Sequence, residues 1–429
     1  MKLTTTNAAK KSNGPMMIIG CLFFVFGLVT WVNSVLIPYF KLTCELSVKQ
    51  AMLVAFAFYI SYFVMAIPSF YILKKIGYKN GMMVGLLVMA AGALVFVPAA
   101  ASRAYSVFLL GLFIEATGLT LLQTAANPYI TILGPIESAA SRISIMGICN
   151  KTAGAIAPLF LVGAIIRNPD EIDQIKAKLL TVTSAQQTEI LNELSSRLII
   201  PYIFVAVVFI GLAFLIKLAH LPDINDESSN AAAPVIGGRE RTLFQHKHLV
   251  LGAATIFAAV AVEVLAVDSI INYAQYTGLS FREAKYFATY TLLMMIISYC
   301  IGIFTIPKYL SQRKALMASS ILGILLTVLC LIIKGPLSVW FIVLLGLGNA
   351  LLWPATWPLA LDGLGKLTSK GSALLIMGVI GGGIAPLLYG AISDAINPQV
   401  AYGIMIPFYV FILYFSVSGY KAGKGITAN

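Results

Sequence analysis

The sequence predicts an all-α membrane protein, with twelve transmembrane helices arranged as two pseudo-symmetric six-helix bundles. Three observations carry that prediction. Hydrophobic residues make up 59% of the 429-residue chain and charged residues only 11%, roughly half the charged share of a soluble domain. Apolar runs of about 20 residues, each long enough for the ~30 Å hydrocarbon layer, recur from end to end. Short segments of the first half also return, in the same order, in the second half.

The elements follow in order. The polar, basic start "MKLTTTNAAKKSNGP" precedes an apolar run too long for a signal peptide, so residues 16–40 are expected to stay in the membrane as span 1. Spans 2 to 5 are read at 49–73, 81–100, 105–133 and 142–166, separated by short polar turns such as "KKIGYKN". Residues 167–198 are helical in pattern and mixed in charge, which suits an external helix before span 6 at 199–219. Residues 220–248 have linker composition and divide the chain into bundles 1–219 and 249–429. Spans 7 to 12 are read at 249–274, 284–306, 315–333, 338–361, 371–393 and 401–420.

Charge placement sets the expected orientation. The larger share of basic residues, including Lys10, Lys11, Lys74, Lys75, Lys79, Arg239, Arg241, Arg313 and Lys314, falls in connections on one face. A smaller share, including Lys41, Lys49, Arg103 and Arg282, falls on the other. Both termini and the linker are therefore expected in the cytoplasm. The net charge of +12 is thereby explained by topology and not by a nucleic-acid partner. The five cysteines show neither a disulfide framework nor metal spacing, and no cofactor is expected. The three histidines flank the linker, where His246-Lys247-His248 reads as a solvated turn, so no catalytic pairing is visible and no enzyme is expected. The Asn-x-Thr sequon at Asn150 lies inside a span, which suits a bacterial inner membrane.

"AGAIAPLFLVGAI" (153–165) returns as "GGGIAPLLYGAI" (381–392), "ANPYITILG" (126–134) as "TWPLALDGLG" (356–365), and "LKKIGYKNG" as "PKYLSQRK". The separations are nearly constant. Parallel six-span repeats of this kind predict a rocking transporter with a central site between its halves.

Together with these repeats, "FFVFGLVTWVNSVLIPYF", "LLQTAANPYITILGP", "SRISIMGICN" and "GSALLIMGVIGGGIAPLLYGAISD" resemble the fucose permease branch of the major facilitator superfamily, especially its glucose/galactose and N-acetylglucosamine permeases. The resemblance covers nearly the whole chain. It implies twelve helices, alternating access, a monosaccharide substrate and usually a coupling cation, either a proton or Na⁺; a monomer is expected. The chain also departs from that branch. Ser34 and Gln123 stand where an acid is usual, Lys151 where a Ser is usual, Asp268 where a small residue is usual, and Glu115 where an apolar one is usual. Glu263 matches an acid often kept in span 7.

In this layout spans 1, 4, 7 and 10 line the cavity, which gives the candidate substrate residues. Gln123 and Asn127 lie one turn apart on span 4. Asn349, Trp353 and Trp357 recur on one face of span 10, unless Pro354 and Pro358 kink it. Trp31 and Asn33 come from span 1, Asn150 from span 5 and Asn272 from the end of span 7. Amides bond sugar hydroxyls and aromatic faces cover the C–H surface of a pyranose.

Lys151, deep in span 5, forms a candidate charge cluster with Glu115, Glu263 and Asp268. An ammonium at mid-membrane costs about 2.5–3.5 kcal/mol unless something offsets it. Gly147 and Gly154 flank it and leave room for a long side chain. By depth Lys151 is level with Glu263, while Glu115 and Asp268 lie nearer the outer side. Glu263 and Asp268 point about 140° apart on a regular helix, so they converge only if span 7 breaks. Three readings follow: a fixed internal cation paired with an acid in a uniporter or a symporter using a remaining acid, a binder of an anionic sugar, or a lock between spans 4 and 5 through Glu115. A sugar receptor on the same scaffold is a further alternative, distinguished by the absence of saturable flux.

Overall fold

The computed structural model describes residues 5–132, 139–165, 167, 171–219, 243–306 and 308–423. Among these residues twelve helices are long and apolar enough to cross a membrane. Spans 1 to 6 are Met16–Thr43, Val48–Ile76, Tyr78–Ser102, Tyr105–Asn127, Arg142–Ile165 and Ser184–Leu218. Spans 7 to 12 are Lys247–Asp268, Phe281–Thr305, Gln312–Ile332, Leu337–Leu361, Lys370–Ala395 and Pro398–Val417. The face from which span 1 starts is called the near face here, and the opposite one the far face. Most of the linker expected at 220–248 lies outside the described residues. His248 is no solvated turn: it is buried in the first turn of span 7, and its Nε2 lies 3.0 Å from the Asp362 carbonyl.

The 167–198 segment builds two helices, not one. Glu171–Leu179 lies between spans 5 and 6, and Ser184–Ser196 runs into span 6 with only a short turn before Ile199. A capping box at Thr183 starts the second helix, and Arg197 ties it back through Glu171 and Glu193.

Spans 1, 7 and 10 are interrupted, and span 11 passes through a 3-10 turn at Gly378–Ile380. Span 1 breaks at Val32, between helices Thr5–Trp31 and Asn33–Thr43. Span 7 ends at Asp268, turns at Ser269, and continues as the short helix Ile270–Tyr276. Span 10 breaks at Ala350 and Leu351, between Leu337–Asn349 and Leu352–Leu361. The last break has a plain cause: Pro354 brings no N–H, and its ring crowds the carbonyl of Ala350 one turn earlier.

Glycines let span 11 approach both of its neighbours closely. A Cβ on Gly381 would come within 2.0 Å of the Phe257 carbonyl oxygen, and one on Gly383 within 3.0 Å of Phe56 Cα. Span 11 is thereby wedged between span 7 of its own half and span 2 of the other. On the far face Lys41 Nζ donates to Asn272 Oδ1 at 3.1 Å and the Lys49 amide to Asp394 at 2.9 Å. The Phe281 amide donates to Asp173 of the Glu171–Leu179 helix at 3.3 Å. These contacts join the two halves and shut the far face.

Candidate functional site

A central cavity of about 120 Å³ lies between the halves. Span 1 contributes Phe23, Phe26, Thr30 and Trp31, span 4 Gln123 and Asn127, and span 5 Ile143, Gly147, Asn150 and Lys151. Span 7 adds Val260, Glu263 and Val264, span 10 adds Trp353, and span 11 adds Val379. Spans 2 and 8 supply Tyr59, Tyr62 and Tyr299.

Lys151 is built into this wall by two partners. Its ammonium donates to Glu263 Oε1, joining span 5 of one half to span 7 of the other. It also stands over the Trp31 ring, 3.9 Å from the centroid, where the π face is negative. Trp31 Nε1 donates to Asn150 Oδ1 at 2.9 Å, which fixes the ring, and Asn150 Nδ2 reaches the Phe23 carbonyl at 3.4 Å. Lys151 and Glu263 are 5% and 8% exposed, so the pair sits in low dielectric at the cavity edge. A buried charge is tolerated when paired and further coordinated, and here the acid and the indole do both.

The glycines around Lys151 serve a different purpose from the one expected. A Cβ on Gly154 would meet Trp31 Cδ1 at 2.3 Å, and one on Gly147 would meet Tyr299 Cζ at 2.6 Å. They make room for the two rings beside the lysine, not for the lysine itself.

Several candidate residues sit elsewhere. Glu115 does not approach Lys151: it is buried on the face of span 4 that packs on span 3, where a Cβ on Gly92 would touch its backbone at 2.4 Å. A lock between spans 4 and 5 through Glu115 is therefore not what the fold contains. Asp268 stays out of the cluster because Glu263 and Asp268 share one unbroken helix, the break coming only at Ser269. It is 1% exposed, and neither carboxylate oxygen has a hydrogen-bond partner among the described residues.

The expected stripe on span 10 is split by the break at Ala350. Asn349 turns into the bundle, donating to the Val262 carbonyl at 3.3 Å and accepting from the Tyr409 hydroxyl at 2.6 Å. Trp353 lines the cavity, and Trp357 stacks on it with centroids 5.1 Å apart. Trp357 itself faces a narrow crevice toward the near face, with Asn127, Thr124 and Ser372. Asn33 is fully buried outside the cavity wall, and neither polar atom of its amide has a partner among the described residues. Asn272 belongs to the far-face contact with Lys41, not to the cavity.

Sequence reasoning missed Tyr59, Tyr62 and Tyr299. Their signal was present as tyrosines inside otherwise apolar runs, but spans 2 and 8 were not counted among the cavity helices. Tyr59 and Tyr62 stack at 6.1 Å, one turn apart, and Tyr59 packs against Gly382 and Gly383 of span 11.

With this geometry in hand, the chain can be set beside known proteins. The Major Facilitator Superfamily profile matches residues 19–379. The glucose/galactose transporter of Brucella abortus (strain 9-941) is 33% identical over 423 residues, covering 98% of this chain and 97% of that one. The L-fucose-proton symporter of Escherichia coli (strain K12) is 28% identical over 412 residues, covering 95% and 93%. The crystal structure of the transporter FucP in the outward conformation superposes with a TM-score of 0.73 at 27% identity, covering 94% of this chain and 97% of that one. Two halves of six spans around a central cavity, together with these likenesses over nearly the full length, place the chain in the major facilitator superfamily, a family of multi-pass membrane transporters, and within it in the fucose permease branch.

Proposed function

We propose that this protein is an alternating-access transporter of a neutral hexose. One observation carries the reading. The cavity between the halves is walled by Trp31, Tyr59, Tyr62, Tyr299 and Trp353 and supplied with the amides Gln123, Asn127 and Asn150. Rings cover the C–H faces of a pyranose and amides serve its hydroxyls. The names of the relatives, glucose/galactose transporter and L-fucose-proton symporter, point the same way.

An anionic sugar is the weaker candidate, because the ammonium it needs is already neutralised by Glu263. Admitting a uronate means breaking a buried pair and leaving a carboxylate uncompensated. Lys151 and Glu263 instead act as an internal ion pair that ties spans 5 and 7 across the substrate path.

In the same proposal the near face is cytoplasmic, as the distribution of basic residues asks, and the membrane is the bacterial inner membrane. The linker at 220–248 tethers bundle 1–219 to bundle 249–429 on the cytoplasmic side, and the working unit is a monomer.

The test is uptake of a labelled neutral hexose and of its uronate into proteoliposomes. Saturable uptake and counterflow of the neutral sugar are expected. Preference for the uronate, or saturable binding without flux, overturns the proposal.

A further inference from the structure

Asn33 and Asp268 each adjoin the interruption of a span, one in each half: Asn33 follows the break at Val32 in span 1, and Asp268 precedes the break at Ser269 in span 7. Both are buried, and among the described residues neither has a hydrogen-bond partner for any side-chain polar atom. The helix Asn33–Thr43 packs against the end of span 7 and the short helix beyond it. Tyr59 of span 2, whose ring lines the cavity, also has a buried hydroxyl without a partner and lies within electrostatic range of Asp268. Transporters built from repeated halves commonly hold their coupling ions at such helix interruptions between the repeats.

We infer that Asp268 is the proton-carrying carboxyl of the transport cycle. This rests on the proposed hexose transport, and it names the coupling ion and its seat. In the conformation with the far face shut, Asp268 is buried, and among the described residues it has neither an ion-pair nor a hydrogen-bond partner. A carboxylate ion is costly there, whereas the neutral acid is not. The far face can therefore close over Asp268 only after the carboxyl has bound a proton.

The seat lies against the moving seam. One turn beyond Asp268, Asn272 accepts from Lys41 of the other half, so releasing that contact opens Asp268 toward the far side. The titratable groups brought to this region are Tyr59 from span 2, Tyr389 from span 11, Tyr402 from span 12, and Lys41 from span 1. Tyr402 bonds Ser269 at 2.7 Å, Lys41 is held by Asn272, and none of the four bonds Asp268.

The other embedded acids lack these properties. Glu263 is committed to Lys151. Glu115 is packed between spans 3 and 4 of a single half, so its surroundings stay the same as the halves rock.

The test uses the full chain in proteoliposomes, with sugar accumulation driven by an imposed inward proton gradient and counterflow measured without a gradient. Wild type is expected to accumulate sugar tenfold or more with the proton gradient and not with a Na⁺ gradient. Asp268→Asn is expected to keep counterflow within threefold of wild type and to lose gradient-driven accumulation, while Glu115→Gln keeps both. Accumulation by Asp268→Asn under the proton gradient overturns the inference, as does wild-type accumulation driven by Na⁺ alone. Absence of counterflow in the wild type instead removes the hexose reading beneath it. If Asp268→Asn loses counterflow as well, carbodiimide labelling of the wild type, read by peptide mass spectrometry, decides. An adduct on Asp268 that grows as pH falls supports the inference, and its absence at every pH overturns it.

Discussion

Trp31 and Gly154 are fitted to each other across spans 1 and 5: the indole occupies the space that any Cβ at position 154 would take, at 2.3 Å from Cδ1. The same ring carries the Lys151 ammonium on its face and is anchored by Asn150. Gly154→Ala is therefore expected to move Trp31 off the lysine, at about 1–3 kcal/mol for overpacking, and to cut counterflow at least tenfold. Gly163, on the same span with open space around it, is the control, and Gly163→Ala is expected to leave both thermal stability and counterflow unchanged.

The Lys151–Glu263 pair predicts a signature of non-additivity. Lys151→Ala leaves a buried carboxylate alone, and breaking such a pair costs about 3–5 kcal/mol. Glu263→Gln leaves the ammonium with only the Trp31 face and is expected to destabilise as well. In the double variant Lys151→Ala/Glu263→Gln no net charge remains buried, so most of the lost stability should return. Thermal unfolding of the four proteins in detergent reads the cycle. A double variant no more stable than the worse single variant contradicts the pairing.

Span 10 offers a contrast between two neighbours. Trp353 faces the cavity, whereas Asn349, before the break, bonds Val262 and Tyr409 inside the bundle. Trp353→Ala should raise the sugar KM tenfold or more with little change in melting temperature. Asn349→Ala should strand the Tyr409 hydroxyl, cost about 1–3 kcal/mol of stability, and leave KM within threefold of wild type. Equal effects on KM would erase the distinction that the break at Ala350 creates.

The overall architecture was legible because a membrane imposes a length on apolar runs that no soluble core requires, and because the repeated segments survive in glycine- and proline-rich stretches. The site was legible only in part. Counting residues gives depth, which put Lys151 level with Glu263, but the rotation that decides which acid meets the ammonium comes from packing. Asn349 left the expected stripe because Pro354 breaks the helix between it and Trp353. The purpose of Gly147 and Gly154 was hidden for the same reason: their neighbours Tyr299 and Trp31 lie on other spans, and sequence spacing says nothing of them. Asn33 read as a cavity group and Asp268 as a member of the charge cluster around Lys151, because polar residues in apolar runs attract such interpretations, yet both are buried away from the cavity wall.

The far-face contacts set the final expectation. Lys41–Asn272 and Asp173–Phe281 join the halves above a small pocket lined by Val35, Ile172, Lys176 and Gln275. Asp173 also places a carboxylate at the first turn of span 8, where the helix dipole favours it. Each hydrogen bond contributes about 0.5–1.5 kcal/mol, or more where one group is charged. Removing both, as in Asn272→Ala/Asp173→Ala, should shift the balance toward a far-open state by about 1–3 kcal/mol, roughly 5- to 150-fold. A cysteine introduced at Gln275, in a chain cleared of its other cysteines, reports that opening to an impermeant thiol reagent added from the far side. Labelling should accelerate at least fivefold in the double variant, and excess neutral hexose should change the rate in both backgrounds, since substrate and gate act on one equilibrium. Unchanged labelling would mean that these bonds ornament the closed face without holding it, and that spans 2 and 11, through the close approach at Gly383, keep it shut on their own.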